Sequence, residues 1–448
     1  MSQDNARIRI LPLVLGDEAR ADRTMKRMAE AKKLIAEDAD LGEPRFIKES
    51  AGRPNTSLGD YDAVAISLPL GVPPHAAEIA SMKKPVMMFE PHCGFHPYQA
   101  GARAALVKAG ATVLPTDCPE AITASVKAMV AARKLQNSKV LLFHSNPDKH
   151  AALADTARDK LGLEIEIHPV EELKDEAKRI SDAAAAATLA RWKQAAFSRI
   201  VDVSNQHLTE VARLYNAEKK FIEQTGAIAL GVEEFKPFLY QKLAMPNVTY
   251  ALLKEEGIVC TEEADLGCLL TQLLFCIVTG EQNTMSNIYM AFRSAYEKLG
   301  PGPGYTPEME LADYRECLRD NCLVVSHFST AGSLPKNMMV EDKWEVRETV
   351  GSWPGQSMVY STPKMGPVTL ARLDTDLANL DVYPGDGADV RKFDELGWHR
   401  CRWLVRVSSA KRFVETAISH HFAIVPGHPD LALRTLVEHL LGIGIRQY

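Results

Sequence analysis

The sequence has no run of about 18 consecutive apolar residues, so no segment is expected to span a membrane as a helix. Its amino-terminal stretch, MSQDNARIRILPLVLGDEAR, carries charges inside an apolar run too short for a secretory leader, and a non-exported, cytoplasmic protein is expected. Eight cysteines are scattered over 448 residues without a CxxC pair, and Cys260, Cys268 and Cys276 flank or enter one apolar segment. That usage fits reduced thiols, not a disulfide framework. A basic stripe is also missing: 52 Lys and Arg stand against 58 Asp and Glu, mixed along the chain, for a net charge of −6. Nothing would neutralise a phosphate backbone, and nucleic acid is not an expected partner. Dinucleotide and P-loop phosphate cradles are absent, as is any internal repeat.

What is present is an ordinary globular composition, 46% hydrophobic and 25% charged, long enough for two or three domains. The opening stretch alternates β-type apolar runs with helical patterns: Ile8 to Leu15, Ala63 to Leu70, Val86 to Phe89 and Ala111 to Leu114. This is the order of a parallel α/β sheet. Gly and Pro gather at the ends of these runs, in LPLGVPPH and FEPHCGFHPYQAG, placing His75, Glu90, His92 and His96 where open α/β sheets hold ligand-binding loops. After a helix at Pro119 to Leu135, KVLLFHSN starts a second α/β unit, with a strand at Glu164 to His168 and a long helical region through Ala190. From Trp344 onward short β-type runs (SMVYST, PVTLARL, RWLVRV, HFAIVPG) alternate with Gly/Pro turns before a last helix at Asp430 to Leu441. The expected fold is therefore two Rossmann-like α/β domains with parallel sheets, residues 1–135 and 136–340, followed by a β-rich, barrel-like C-terminal domain over 341–448 with a terminal helix.

The most informative segment is CTEEADLGCLLTQLLFCIVTGEQNTMSNIYM, an acidic knot before an apolar helix that stops at Gly280. Acidic residues at a helix start favour its dipole, so Glu262, Glu263 and Asp265 are candidates for capping. Two further polar elements close apolar runs, VVSHFSTAGS around His327 and AISHHFAIVPG around His420 and His421. Carboxylate and imidazole together form a common ligand set for a divalent metal.

These three segments, in this order, resemble the L-fucose/L-arabinose isomerase superfamily over roughly residues 136 to 448. The resemblance implies a Mn²⁺-type divalent cation held by Glu262, matched through its spacing to Gly267, by His327 in S-H-F, and by His421, the second histidine of the pair. The position of the family's second carboxylate falls on Asn287. An amide cannot accept a proton, so either Glu263 or Asp265 takes over by a shift of register, or the chain performs a different reaction, or it has lost catalysis. Glu262, Glu263 and Asn287 are thus the catalytic candidates. Asn287, His420 and, from a neighbouring subunit, Glu90, His92 and His96 are the substrate-binding ones. The implied activity is metal-assisted aldose–ketose isomerisation of a small sugar through an enediol, in a homo-oligomer (trimer or hexamer). Epimerisation of a sugar or sugar acid and a catalytically inactive sugar-binding or regulatory role are the alternatives.

Overall fold

The structure, a computed structural model, describes the chain except for residues 1–6, 16–17, 36–37, 48–60, 68–70, 90–96, 137, 291–305, 328–332, 349–354 and 393–400. The protein is a mixed α/β chain of two compact units, one comprising residues 1–136 and 430–444, the other 137–429 and 445–448.

In the first unit, Ile8–Leu15 lies at the centre of a parallel sheet, paired with Ala39–Leu41, Arg45–Ile47 and Ala63–Ile66, and Val86–Met88 extends it. Ala63–Ile66 and Val86–Met88 are buried at every position, the pattern of strands covered on both faces. The run Ala111–Leu114 contributes only one parallel bridge, Val113 to Val86. Gly110 in the left-handed region at one end and Pro115 at the other leave too little extended chain for a ladder. Helix Pro119–Leu135 starts with Pro in its first turn and buries Ile122, Val126 and Met129 in the core of this unit. The helical turns Leu431–Arg434 and Thr435–Leu440 pack on it, so the terminal helix joins the first unit.

The second unit holds a four-stranded parallel sheet in the order Val259–Thr261, Ala229–Val232, Lys139–His144 and Glu164–Pro169. The helical pattern through Ala190 is split in two: Ile180 is extended, and the Ser181 hydroxyl caps a new helix, Asp182–Ala195, by accepting the Ala184 N–H. Beside the parallel sheet lies a closed antiparallel barrel of six strands, running Gly366–Leu373, His421–Pro426, Thr284–Tyr289, Cys322–Ser326, Cys401–Val407 and Asn379–Lys392, with the last paired back to the first. Two of these strands lie before residue 341. They are drawn in because closure removes every edge, and their partners are far away in sequence. A barrel this narrow is filled by side chains, here Leu370, Phe422, Ile424, Val325 and Val405 among them.

Helix Leu266–Thr279 is wedged against both the parallel sheet and the barrel. It is largely apolar, and residues 266–275 are buried at every position, which suits a helix whose solvent contact is confined to its last turn. Leu266, Leu269, Leu270, Leu273 and Leu274 are each at most 1% exposed, and burying each contributes roughly 2 kcal/mol as an upper estimate. Gly280, at φ +73°, ends the helix in the left-handed conformation that spares it a Cβ clash. No helix among the described residues is long and apolar enough to cross a membrane.

Candidate metal centre

The parallel sheet of the second unit delivers a row of polar side chains at the carboxyl ends of its strands, where open α/β sheets bind ligands. Lys139–His144 ends in His144 and is followed by Ser145, Ala229–Val232 by Glu233 and Glu234, and Val259–Thr261 by Glu262 and Glu263. At this last exit the chain turns sharply. Glu263 has φ +58° and ψ +19°, and Ala264 follows at φ +49°, two consecutive left-handed residues that lack the licence of glycine. The turn sends the Glu262 and Glu263 side chains to different places.

Glu263 meets two histidines from the barrel. His327 follows the strand Cys322–Ser326 and His421 opens His421–Pro426; they are 1% and 4% exposed. The strand Thr284–Tyr289 lies between them, with Asn287 in register with both Ser326 and His421, and so holds the imidazoles side by side. Their ring centroids are 5.7 Å apart at 70°. His327 Nε2 lies 3.3 Å from Glu263 Oε1, and His421 Nε2 3.8 Å from Glu263 Oε2. One ligand atom from each of Glu263, His327 and His421 falls within 4.8 Å of the others, a spacing a single ion could bridge.

The surroundings favour a ligating state. Burial raises the Glu263 carboxyl, but the His327 hydrogen bond and the nearby imidazoles outweigh it and hold the group below its ordinary value. Asp265 Oδ2 lies 3.0 Å from His421 Nδ1 and accepts from Arg372 Nη1 at 2.8 Å. Against its burial, these partners hold Asp265 far below the usual carboxylate range. With the Nδ1 proton directed at Asp265, His421 turns Nε2 towards Glu263, and that buried nitrogen has no hydrogen-bond partner. Asp265 also caps the central helix, its Oδ1 accepting the Cys268 N–H at 3.0 Å. Gly267 makes room for the arrangement, since a Cβ there would stand 3.0 Å from Arg372 Nη2.

Glu262 is placed elsewhere. It is fully buried, and its Oε1 accepts the Ser333 N–H at 2.9 Å and the Ser333 hydroxyl at 2.8 Å. The same hydroxyl accepts from Lys254 Nζ at 2.9 Å, which also donates to the Ser333 carbonyl and to Thr284. Lys254, itself 1% exposed, is pulled below its ordinary value by burial, against the opposing charge of Glu262. Glu262 thus pins Ser333 in the interior, while its neighbour faces the histidines.

Asn287 is 2% exposed; its Nδ2 donates to the Tyr289 hydroxyl at 3.2 Å, while Oδ1 has no partner. The Arg402 guanidinium lies over the Tyr289 ring, 4.8 Å from its centroid. His420 is exposed, its ring 4.0 Å from that of His421. Glu90, His92 and His96 lie outside the described residues, and His75 is buried in the first unit, 3.5 Å from Glu78.

Several polar groups at this end of the sheet were not singled out from sequence. Arg372 could have been, as an arginine inside the apolar run PVTLARL. Glu234, buried to 1%, accepts the Glu263 N–H, and burial together with the charges of Glu263 and Glu262 pushes its carboxyl well above its ordinary value. Glu233 accepts the Ser145 N–H at 2.7 Å and lies 3.5 Å from His144, whose ring meets that of His150 at 5.1 Å. Burial and the neighbouring imidazole push His150 down to about 4. No protein-family model and no curated protein sequence matches the chain significantly.

Proposed function

We propose that this chain is a sugar-isomerase-like enzyme that binds a divalent cation, Mn²⁺ foremost, through Glu263, His327 and His421 and acts on a small open-chain sugar. One observation carries the reading: a carboxylate and two imidazoles from three distant segments converge in a buried site with their ligand atoms within 4.8 Å. When bound, the cation would supply Lewis-acid polarisation of a carbonyl and its neighbouring hydroxyl. Glu263, kept ionised, is the group suited to move a proton between adjacent carbons through an enediol, a role worth about 10²–10⁴-fold for a positioned base. Asp265 and Arg372 orient His421. Asn287 accepts a hydrogen bond from a substrate hydroxyl through its unpartnered Oδ1. In this reading the two parallel sheets belong to Rossmann-like domains of the fucose/arabinose isomerase type, the barrel is the third domain, and the chain works in the cytoplasm as a homo-oligomer.

Asn287 favours one second reading. It stands where a second carboxylate would complete an isomerase's acid/base pair, so a related metal-dependent reaction, such as epimerisation of a sugar or sugar acid, is the alternative. Metal analysis of the purified chain, its Glu263→Gln variant and its Asn287→Asp variant, with a screen of pentoses, hexoses and their acids, tests both. The proposal expects about one Mn²⁺ per chain in the parent, at least about tenfold weaker binding in Glu263→Gln, and aldose–ketose exchange that Asn287→Asp enhances. Metal with epimerisation alone selects the second reading. Sugar binding by a metal-free chain would reveal a binding or regulatory protein.

A further inference from the structure

The Glu263 side chain reaches the two histidines through a backbone in the left-handed conformation, which is strained for a residue with a Cβ. Ala264 repeats that conformation at the next position. Something must hold the turn. Downstream it is closed by the Asp265 N–H on the Glu262 carbonyl at 3.3 Å, and the Glu262 side chain is tied to Ser333. The remaining anchor comes from another strand exit. In the GVEEF segment, Glu233 turns out to Ser145 while Glu234 turns inward and accepts the Glu263 N–H with Oε2. Its other oxygen, Oε1, is buried without a partner. An interior carboxyl is costly and adds little to the core as packing. Besides the Tyr250 hydroxyl near it, its hydrogen bond from the Glu263 N–H reaches the backbone of the carboxylate that faces His327 and His421.

We infer that Glu234 is a positioning residue for the Glu263/His327/His421 centre, holding the Glu263 backbone in the turn that aims its carboxylate at the imidazoles. The inference rests on the metal-binding reading of that centre and deepens it. Glu234 acts through Glu263 and itself touches neither cation nor substrate. Removing its acceptor while preserving its bulk frees the turn to relax to a right-handed backbone, which swings the Glu263 carboxylate away from the histidines. An amide oxygen can replace the acceptor, so Gln at this position preserves the tether.

The test titrates the full-length chain and its Glu234→Gln and Glu234→Leu variants with Mn²⁺ by calorimetry, and records the visible spectrum of each loaded with Co²⁺. Amide hydrogen exchange at Glu263 is followed in the metal-free proteins. We expect Glu234→Gln to bind within about threefold of the parent with the same Co²⁺ spectrum and a protected Glu263 amide. Glu234→Leu should bind about 10–100-fold more weakly, as loss of a group that orients a ligand does, with a changed spectrum and an unprotected amide. If Glu234→Leu does not fold, Glu234→Met, with a flexible side chain of similar length, takes its place. Parent-like binding and amide protection in the apolar variant would overturn the inference while leaving the metal centre intact. Failure of the parent itself to bind Mn²⁺ or Co²⁺ would overturn the centre and the inference with it.

Discussion

Glu218 lies on helix Asn205–Thr225 in the larger unit, fully buried, with the Thr249 hydroxyl close enough to offset only part of the cost of burial. Burial pushes this group from its ordinary 4.5 up to about 8, so at neutral pH it sits in the core as a neutral acid. Because the folded form holds the proton more tightly than the unfolded chain, the stability that Glu218 contributes is fully present below about pH 4.5 and is lost as pH rises through about 8. In that window it decays by about 1.4 kcal/mol per pH unit, and the full difference between the two pKa values corresponds to roughly 5 kcal/mol. Glu218→Gln keeps the shape of the neutral acid and removes the titration. The advantage of the Gln variant over the parent should therefore grow by about 3–4 kcal/mol between pH 5 and pH 8. Denaturant unfolding of both proteins at unit pH intervals, followed by circular dichroism, measures it. Parallel stability profiles across that range would show that Glu218 titrates normally in the fold, and the argument from its burial would be refuted.

Two further outcomes follow from the groups around the candidate centre. Lys254→Met strands the Glu262 carboxylate in the interior beside Ser333 and should cost about 3–5 kcal/mol in denaturant unfolding. Adding Glu262→Gln should recover part of that loss, and a cost below about 1 kcal/mol for the single change would mean that the buried network is not an ion pair in effect. Arg372→Leu leaves Asp265 without its guanidinium partner, lets His421 lose its fixed orientation, and should weaken Mn²⁺ binding about 10–100-fold in calorimetry; unchanged affinity would argue that Asp265 alone suffices.

Much of the local structure is legible in the sequence because it depends on neighbours along the chain. The alternation of apolar runs with helical patterns anticipates parallel strands such as Ile8–Leu15 and Lys139–His144. The span from Asp265 to Gly280 reads as a capped, largely apolar helix, and it is one. His327 and His421, named from their positions at the ends of apolar runs, are the two histidines that the structure brings to Glu263. In HisHisPhe, strand alternation allows only one imidazole inside, and it is His421 that is buried. The choice between Glu262 and Glu263 is of another kind. Two adjacent carboxylates at one strand exit are equivalent to any local rule, and which of them faces the histidines is decided by a left-handed turn held from Glu234 and by a buried lysine that reaches Glu262 through Ser333. Those contacts join residues 29 and 71 positions apart, and within the barrel the pairing of Thr284–Tyr289 with His421–Pro426 joins strands separated by still more. Local preference sets the elements of this protein, but only the tertiary structure, by completing hydrogen bonds across such distances, decides which carboxylate becomes available for chemistry.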